Sequence, residues 1–187
     1  MSEIIIRDAT LQDSKRLLEI YSFYVQKTAI TFEYETPSLS EFAGRIKNIS
    51  KRYPYLVVEC DHKILGYAYA SAFKDRKAYD WSCELSIYLE KNAHKKGLGR
   101  KLYTELEKRL KSMGILNLYA CIAYPKDLND PFLDLNSVHF HEHVGFKEVG
   151  KFHNCGFKFK RFYHMVWMEK LIGSFEGHIQ EVKFYDL

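Results

Sequence analysis

Residues 93–103 read AHKKGLGRKLY, with Gly97 and Gly99 one residue apart among four cations, Lys95, Lys96, Arg100 and Lys101. The run that follows carries Leu102, Leu106, Leu110 and Met113 at helical spacing, and Gly114 ends it, which predicts a helix entered through the glycines. Two missing Cβ atoms at that entrance suit a backbone that comes close to something. The first amides of a helix have no carbonyl partners and carry the positive end of its dipole. With four cations beside them, these amides suit a phosphate group. The spacing alone leaves a plain turn with solvated charges open as well. A G-x-x-x-x-G-K-[ST] pattern is absent, and the dinucleotide fingerprint would need a third glycine where Leu102 stands.

Just upstream, WSCELSIYLE (81–90) alternates as a strand, with Cys83, Leu85, Ile87 and Leu89 on one face and Glu84, Ser86 and Tyr88 on the other. Before it, YLVVEC and KILGYAYASAF flank Asp61-His62 as a hairpin with a polar tip. The start reads as a short strand and a helix capped by Thr10 with Asp13, its apolar positions being Leu17, Ile20, Tyr21 and Tyr24. Ser38 and Glu41 open a second helix with Phe42, Ile46 and Ile49 inward. After the glycine-led helix come a buried strand (ILNLYACIAY), a short helix (NSVHFHEHVGF) ending at Gly145, and two strands closing with RFYHMVWMEKL. Strand, two helices, several strands, helix, strand, helix, strands is an α+β layer fold rather than a βαβ repeat. A single domain over 1–170 is expected, with 171–187 as an extension whose role the sequence does not give.

The totals fit this. A chain of 187 residues with 47% hydrophobic and 16% aromatic content builds a core without staples, which excludes a disordered protein. No run is long and apolar enough for a membrane, and MSEIIIRDAT lacks the features of a signal peptide. The surplus of 28 basic over 24 acidic residues is mild and dispersed, against a nucleic-acid partner. Cys60, Cys83, Cys121 and Cys155 form no metal spacing; buried, reduced thiols in a cytoplasmic protein are expected. His139, His141 and His143 without HExxH and without further ligands give no metal site.

HKKGLGRKLYTELEKRL (94–110) resembles the Q/R-x-x-G-x-G/A motif of the GNAT superfamily of N-acetyltransferases, with His94 in the place of the usual Gln or Arg. KDRKAYDWSCELSIYL and FHEHVGF are similar to the branch that acetylates phosphinothricin and methionine sulfoximine. The resemblance covers roughly residues 3 to 170. It implies a mostly antiparallel sheet flanked by helices, acetyl-CoA as cosubstrate and no metal. It also implies a diphosphate held by Lys95, Lys96, Gly97, Leu98, Gly99, Arg100 and Lys101. Backbone groups of Ile87, Tyr88 and Leu89 on a splayed strand would meet the thioester.

Transfer to an amine requires a base for the ammonium proton. Glu84 stands where the branch places its catalytic glutamate; from residue type alone it would read as a surface ion pair. Burial among aromatics such as Tyr79 and Trp81 would match its pKa to that work. His141 stands where the family places a proton donor for the thiol, with Tyr124 as a spare. On the acceptor side, Lys74 and Arg76 suit a substrate carboxylate. Phe32, Glu35 and Tyr79 complete the expected acceptor site. The long loop YPKDLNDPFLDLN departs from the branch. The expected reaction is acetylation of a small amino acid or analogue by a homodimer. A non-catalytic acyl-CoA module and an enzyme acting on protein amines are the alternatives.

Overall fold

A computed structural model describes residues 3–93 and 96–185. Seven strands form one sheet: β1 (Ile4–Asp8), β2 (Tyr55–Cys60), β3 (Lys63–Ala72), β4 (Ser82–Leu89), β5 (Asn117–Tyr124), β6 (Lys147–Lys158) and β7 (Arg161–Leu171). Four helices join them: α1 (Ser14–Lys27), α2 (Leu39–Ser50), α3 (Leu98–Met113) and α4 (Asn136–His143). The sheet order is β1-β2-β3-β4-β5-β7-β6, and among the described residues β4–β5 is the one parallel pair.

Local chemistry sets the element ends. Thr10 and Asp13 form a capping box, the Asp13 carboxylate accepting from the Thr10 amide at 2.7 Å. Ser38 Oγ accepts from the Glu41 amide at 3.2 Å and opens α2. Asp61 and His62 both take positive φ, as a two-residue hairpin tip between β2 and β3 requires. Gly114, at φ +93°, closes α3.

Strand alternation sorts the core into two layers. Leu56, Ala68, Cys83, Leu85, Leu118 and Ala120 pack with Leu98, Leu102, Leu106 and Leu110 of α3 and with Val138 of α4. On the other face Val57 and Tyr67 meet Leu17, Ile20, Tyr24, Phe42 and Ile46 of α1 and α2. The helix pairs therefore cover opposite faces, and β5 and β7 project past α1 and α2.

That uncovered flank corrects the cysteine reading. All four thiols are free; Cys83 is buried, whereas Cys121 and Cys155 are exposed and Cys60 is half-buried. Cys121 alternates onto the face of β5 away from α3. Residues 172–185 run back across the base of the sheet. The Lys183 amide donates to Met113 O at 2.8 Å, and Trp81 Nε1 donates to Gln180 O at 2.8 Å. Phe184 packs on Tyr53 at 5.3 Å, and the Arg52 guanidinium lies 4.0 Å from the Phe184 ring centre.

Candidate active site

Pairing between β4 and β5 ends early. Ser82, Cys83 and Glu84 pair with Asn117, Leu118 and Tyr119, and beyond them the strands diverge while each continues for five residues. The wedge between them is a cleft of about 60 Å³. Ser86, Ile87 and Tyr88 line it from β4, and Ala120, Cys121 and Ile122 from β5. Tyr103 of α3, Ser137 and His141 of α4, and Ile30 of the loop after α1 complete the wall. Divergence leaves one edge of β4 without a strand partner, so Ile87, Tyr88 and Leu89 can offer backbone groups to a ligand. Leu89 O accepts from the Tyr24 hydroxyl.

The start of α3 lies beside this wedge. Gly97 is in the left-handed region at φ +73°, and among the described residues no atom lies within 4 Å of where a Cβ would stand. Gly99 has another reason: a Cβ there would meet Phe140 at 3.0 Å and Ile87 at 3.4 Å. The second glycine therefore lets α3 close onto α4 and β4. Among the described residues the first α3 hydrogen bond runs from the Lys101 amide to Gly97 O, at 3.1 Å, and the amides of Leu98, Gly99 and Arg100 precede the first carbonyl that the helix itself can offer. Lys96, Arg100 and Lys101 are exposed nearby. Open amides, an uncrowded Gly97 and three cations fit a diphosphate. His94 and Lys95, also assigned to this motif, lie outside the described residues.

Glu84 sits at the root of the wedge, the last β4 residue paired to β5. Burial raises its carboxyl above the usual range, and the Lys74 ammonium partly opposes that shift. The aromatics expected to bury it are differently placed. Trp81 has the parity of Cys83, and its indole N–H is committed to Gln180 O. Tyr79 is 40% exposed and packs edge-on against Phe73 at 5.8 Å. The tail and the strand parity thus take the Trp81 ring to the other face, while Tyr79 stands at the outer edge of Phe73. Glu84 instead shares its face with Ser86 and Tyr69, and Phe73, Tyr119 and Trp167 form an aromatic group beyond it, Phe73 stacking on Tyr119 at 4.2 Å.

His141 is 3% exposed. Its Nδ1 lies 2.7 Å from Ser137 O, and a carbonyl only accepts, so Nδ1 carries the hydrogen. Nε2 is then a lone pair and accepts from the Tyr103 hydroxyl at 2.9 Å. Burial lowers the imidazole to a pKa of about 4, so it is neutral at physiological pH. Tyr103, which the sequence did not single out, is 1% exposed, and its own pKa is pushed well above 10 by the same burial.

The acceptor-side residues divide. Lys74 Nζ lies 5.2 Å from the Phe73 ring centre and 5.9 Å from that of Trp167, on the Glu84 side. Arg76 and Glu35 are exposed. Phe32 turns toward β6 and β7, its ring against Gly156 and 6.2 Å from Tyr163. Tyr124 lies under the Lys151 ammonium at 3.6 Å. The long loop after β5 packs inward through Leu133, and Phe132 stacks on Phe159 at 4.2 Å. Among the described residues, no group of three or more His, Cys, Asp or Glu side chains is placed to hold a metal, and no helix is long and apolar enough to cross a membrane.

A sheet split beside an open helix start is the arrangement of an acyl-CoA-dependent transferase. Residues 6–167 match the family described as the acetyltransferase (GNAT) domain, and the chain belongs to that family. It is an N-acetyltransferase that uses acetyl-CoA. Among its relatives is a phosphinothricin N-acetyltransferase of Streptomyces viridochromogenes, 33% identical over 82% of this chain and 79% of that one. The L-methionine sulfoximine/L-methionine sulfone acetyltransferase of Pseudomonas aeruginosa is 28% identical over 88% and 92%. A crystal structure of a phosphinothricin acetyltransferase from Sinorhizobium meliloti in complex with acetyl-CoA superposes with a TM-score of 0.83. It is 34% identical and covers 96% of this chain and 93% of that one.

Proposed function

We propose that the protein acetylates the amine of a small amino acid or amino-acid analogue, of the phosphinothricin or methionine sulfone type, with Glu84 as the general base. The observation that carries this reading is the place of Glu84: a half-buried carboxylate with a raised pKa, at the point where β4 and β5 part. Acetyl-CoA supplies an activated acetyl thioester. The α3 amides with Lys96, Arg100 and Lys101 hold its diphosphate, and the free edge of β4 receives the acyl end. Glu84 takes the ammonium proton, directly or through water. The departing sulfur takes up the second proton that the amine nitrogen loses as the amide forms, and His141, bonded to the Tyr103 hydroxyl in the cleft wall, is the auxiliary group beside that transfer. Lys74, on the Glu84 side, draws the acceptor's carboxylate, with Arg76 on the same loop.

The bulged β6 edge strand and the β6–β7 hairpin carry exposed Val149, Phe152, Phe157 and Phe162, which supports a homodimer formed through that edge. Four unbridged cysteines support a reducing compartment such as the cytoplasm. Release of free thiol from acetyl-CoA, followed with phosphinothricin, methionine sulfone, standard amino acids and a lysine peptide, tests the reading. Turnover of the small amino acids with silence from the peptide supports it. Binding of acetyl-CoA without turnover of any amine points instead to a non-catalytic module.

A further inference from the structure

We propose that Lys158 is a positioning residue for acceptor recognition, its buried ammonium holding the turn at 28–31 so that Ile30 stands in the wall of the cleft. The inference rests on the acetyltransferase reading above. Lys158 ends β6 at 2% exposure, an uncommon place for an ammonium, whose burial is costly unless its hydrogens are bonded. Among the described residues no carboxylate lies within ion-pair distance of it. Its Nζ donates instead to Thr28 O at 2.9 Å and Thr31 O at 2.7 Å. A Met or Leu would fill the same volume without desolvating a charge. What the ammonium adds is a donor for two carbonyls converging where the chain leaves α1.

The same turn is held from other sides. The Ala29 amide donates to Phe132 O at 2.9 Å, and the Tyr34 hydroxyl donates to Phe157 O. The Phe32 ring lies on Gly156, where any side chain would displace it. Thr31 Oγ1 bonds the Tyr21 hydroxyl at 3.0 Å, and Tyr21 packs edge-on against Tyr88 of β4 at 5.0 Å. Ile30 sits between the two carbonyls that Lys158 binds and lines the cleft. The turn follows α1, whereas the amides at the start of α3 belong to the opposite layer. Loosening it therefore alters the acceptor side and spares the diphosphate side.

The test compares wild type with Lys158→Met, which keeps length and packing, and with Gly156→Ala, which displaces Phe32 without touching the ammonium. Acceptor KM and kcat are measured alongside the acetyl-CoA Kd by calorimetry and amide hydrogen exchange over 28–33. The expected result is an acceptor KM raised about tenfold or more in Lys158→Met, with acetyl-CoA Kd within about twofold. Exchange over 28–33 quickens, and Gly156→Ala shifts KM the same way. Unchanged exchange, an unchanged acceptor KM, or a matching loss of acetyl-CoA affinity overturns the proposal. If Lys158→Met does not fold, Lys158→Gln, which shortens the side chain and removes the charge but keeps a polar donor, is read in its place by the same measurements and the same outcomes. A wild-type enzyme that turns over no amine overturns the acetyltransferase reading and the acceptor role with it. The exchange measurement then still reports whether Lys158 holds the turn.

Discussion

The Tyr103 hydroxyl donates to His141 Nε2 across 2.9 Å inside the core, while His141 Nδ1–H is spent on Ser137 O. A ring bonded at both nitrogens has a fixed tautomer and a fixed orientation. It also resists protonation, because burial penalises the charged imidazolium that a second ring hydrogen would create.

The first prediction concerns acid stability. The folded imidazole has a pKa of about 4 against 6.5 for the ordinary group. The unfolded chain therefore binds this proton more tightly, and stability rises with pH between those values, then levels. The contribution over that window is about 3 kcal/mol. Urea unfolding of wild type and His141→Gln from pH 4 to 8 measures it. The wild type is expected to show the steeper rise below pH 6.5, and equal slopes would mean the ring is not held neutral.

Glu84 supplies the second. Its raised pKa means that burial penalises the carboxylate, so stability falls as pH rises through the ordinary glutamate range toward the folded value. Glu84→Gln removes that penalty and the base together. A melting temperature at pH 7.5 equal to or above wild type is expected, with kcat/KM lower by about 10²- to 10⁴-fold. For wild type, kcat/KM should decline with acidification from a point above the usual glutamate pKa. A variant with near-normal turnover would remove Glu84 from the mechanism.

The two glycines separate by mechanism. Gly97→Ala meets open space and carries only backbone strain, about 1–2 kcal/mol. Gly99→Ala drives a methyl at Phe140 and Ile87, so α3 must lift from α4. Calorimetry with acetyl-CoA should show both variants weakened. The aromatic environment of Tyr103 and Phe140, read by near-ultraviolet circular dichroism, should change only in Gly99→Ala.

Deleting residues 173–187 tests the returning segment. It strips Phe184 from Tyr53 and the acceptor from the Trp81 indole. Loss of about 3 kcal/mol or more is expected from apolar burial alone, a melting temperature lower by roughly 6 to 12 °C at this chain length. An unchanged melting curve would show that the segment adds nothing to stability.

Much of this was legible in the sequence because the patterns are local. Cys83, Leu85 and Glu84 show their faces through strand parity, and Leu102 to Met113 show theirs through helical spacing. Gly97, Thr10 and Ser38 announce their ends through chain chemistry. Tyr103 was hidden because it flanks Leu102 on the same buried side of α3, and its partner lies 38 positions away. Ile30 and Lys158 were hidden for a related reason: a turn, the long loop and a hairpin must dock before either has a role. Trp81 misled because the alternation that fixes Glu84 sends the tryptophan to the opposite face, where residues beyond β7 receive it. The cysteines misled because an apolar run does not reveal which face a helix later covers.

The position of β7 between β5 and β6 has a consequence for how the chain is made. β5 finds its antiparallel neighbour only when the ribosome has passed Leu171, after α4 and β6 have emerged. Until then the nascent polypeptide carries an open, largely apolar sheet edge next to the future cleft, the kind of surface on which chaperones act.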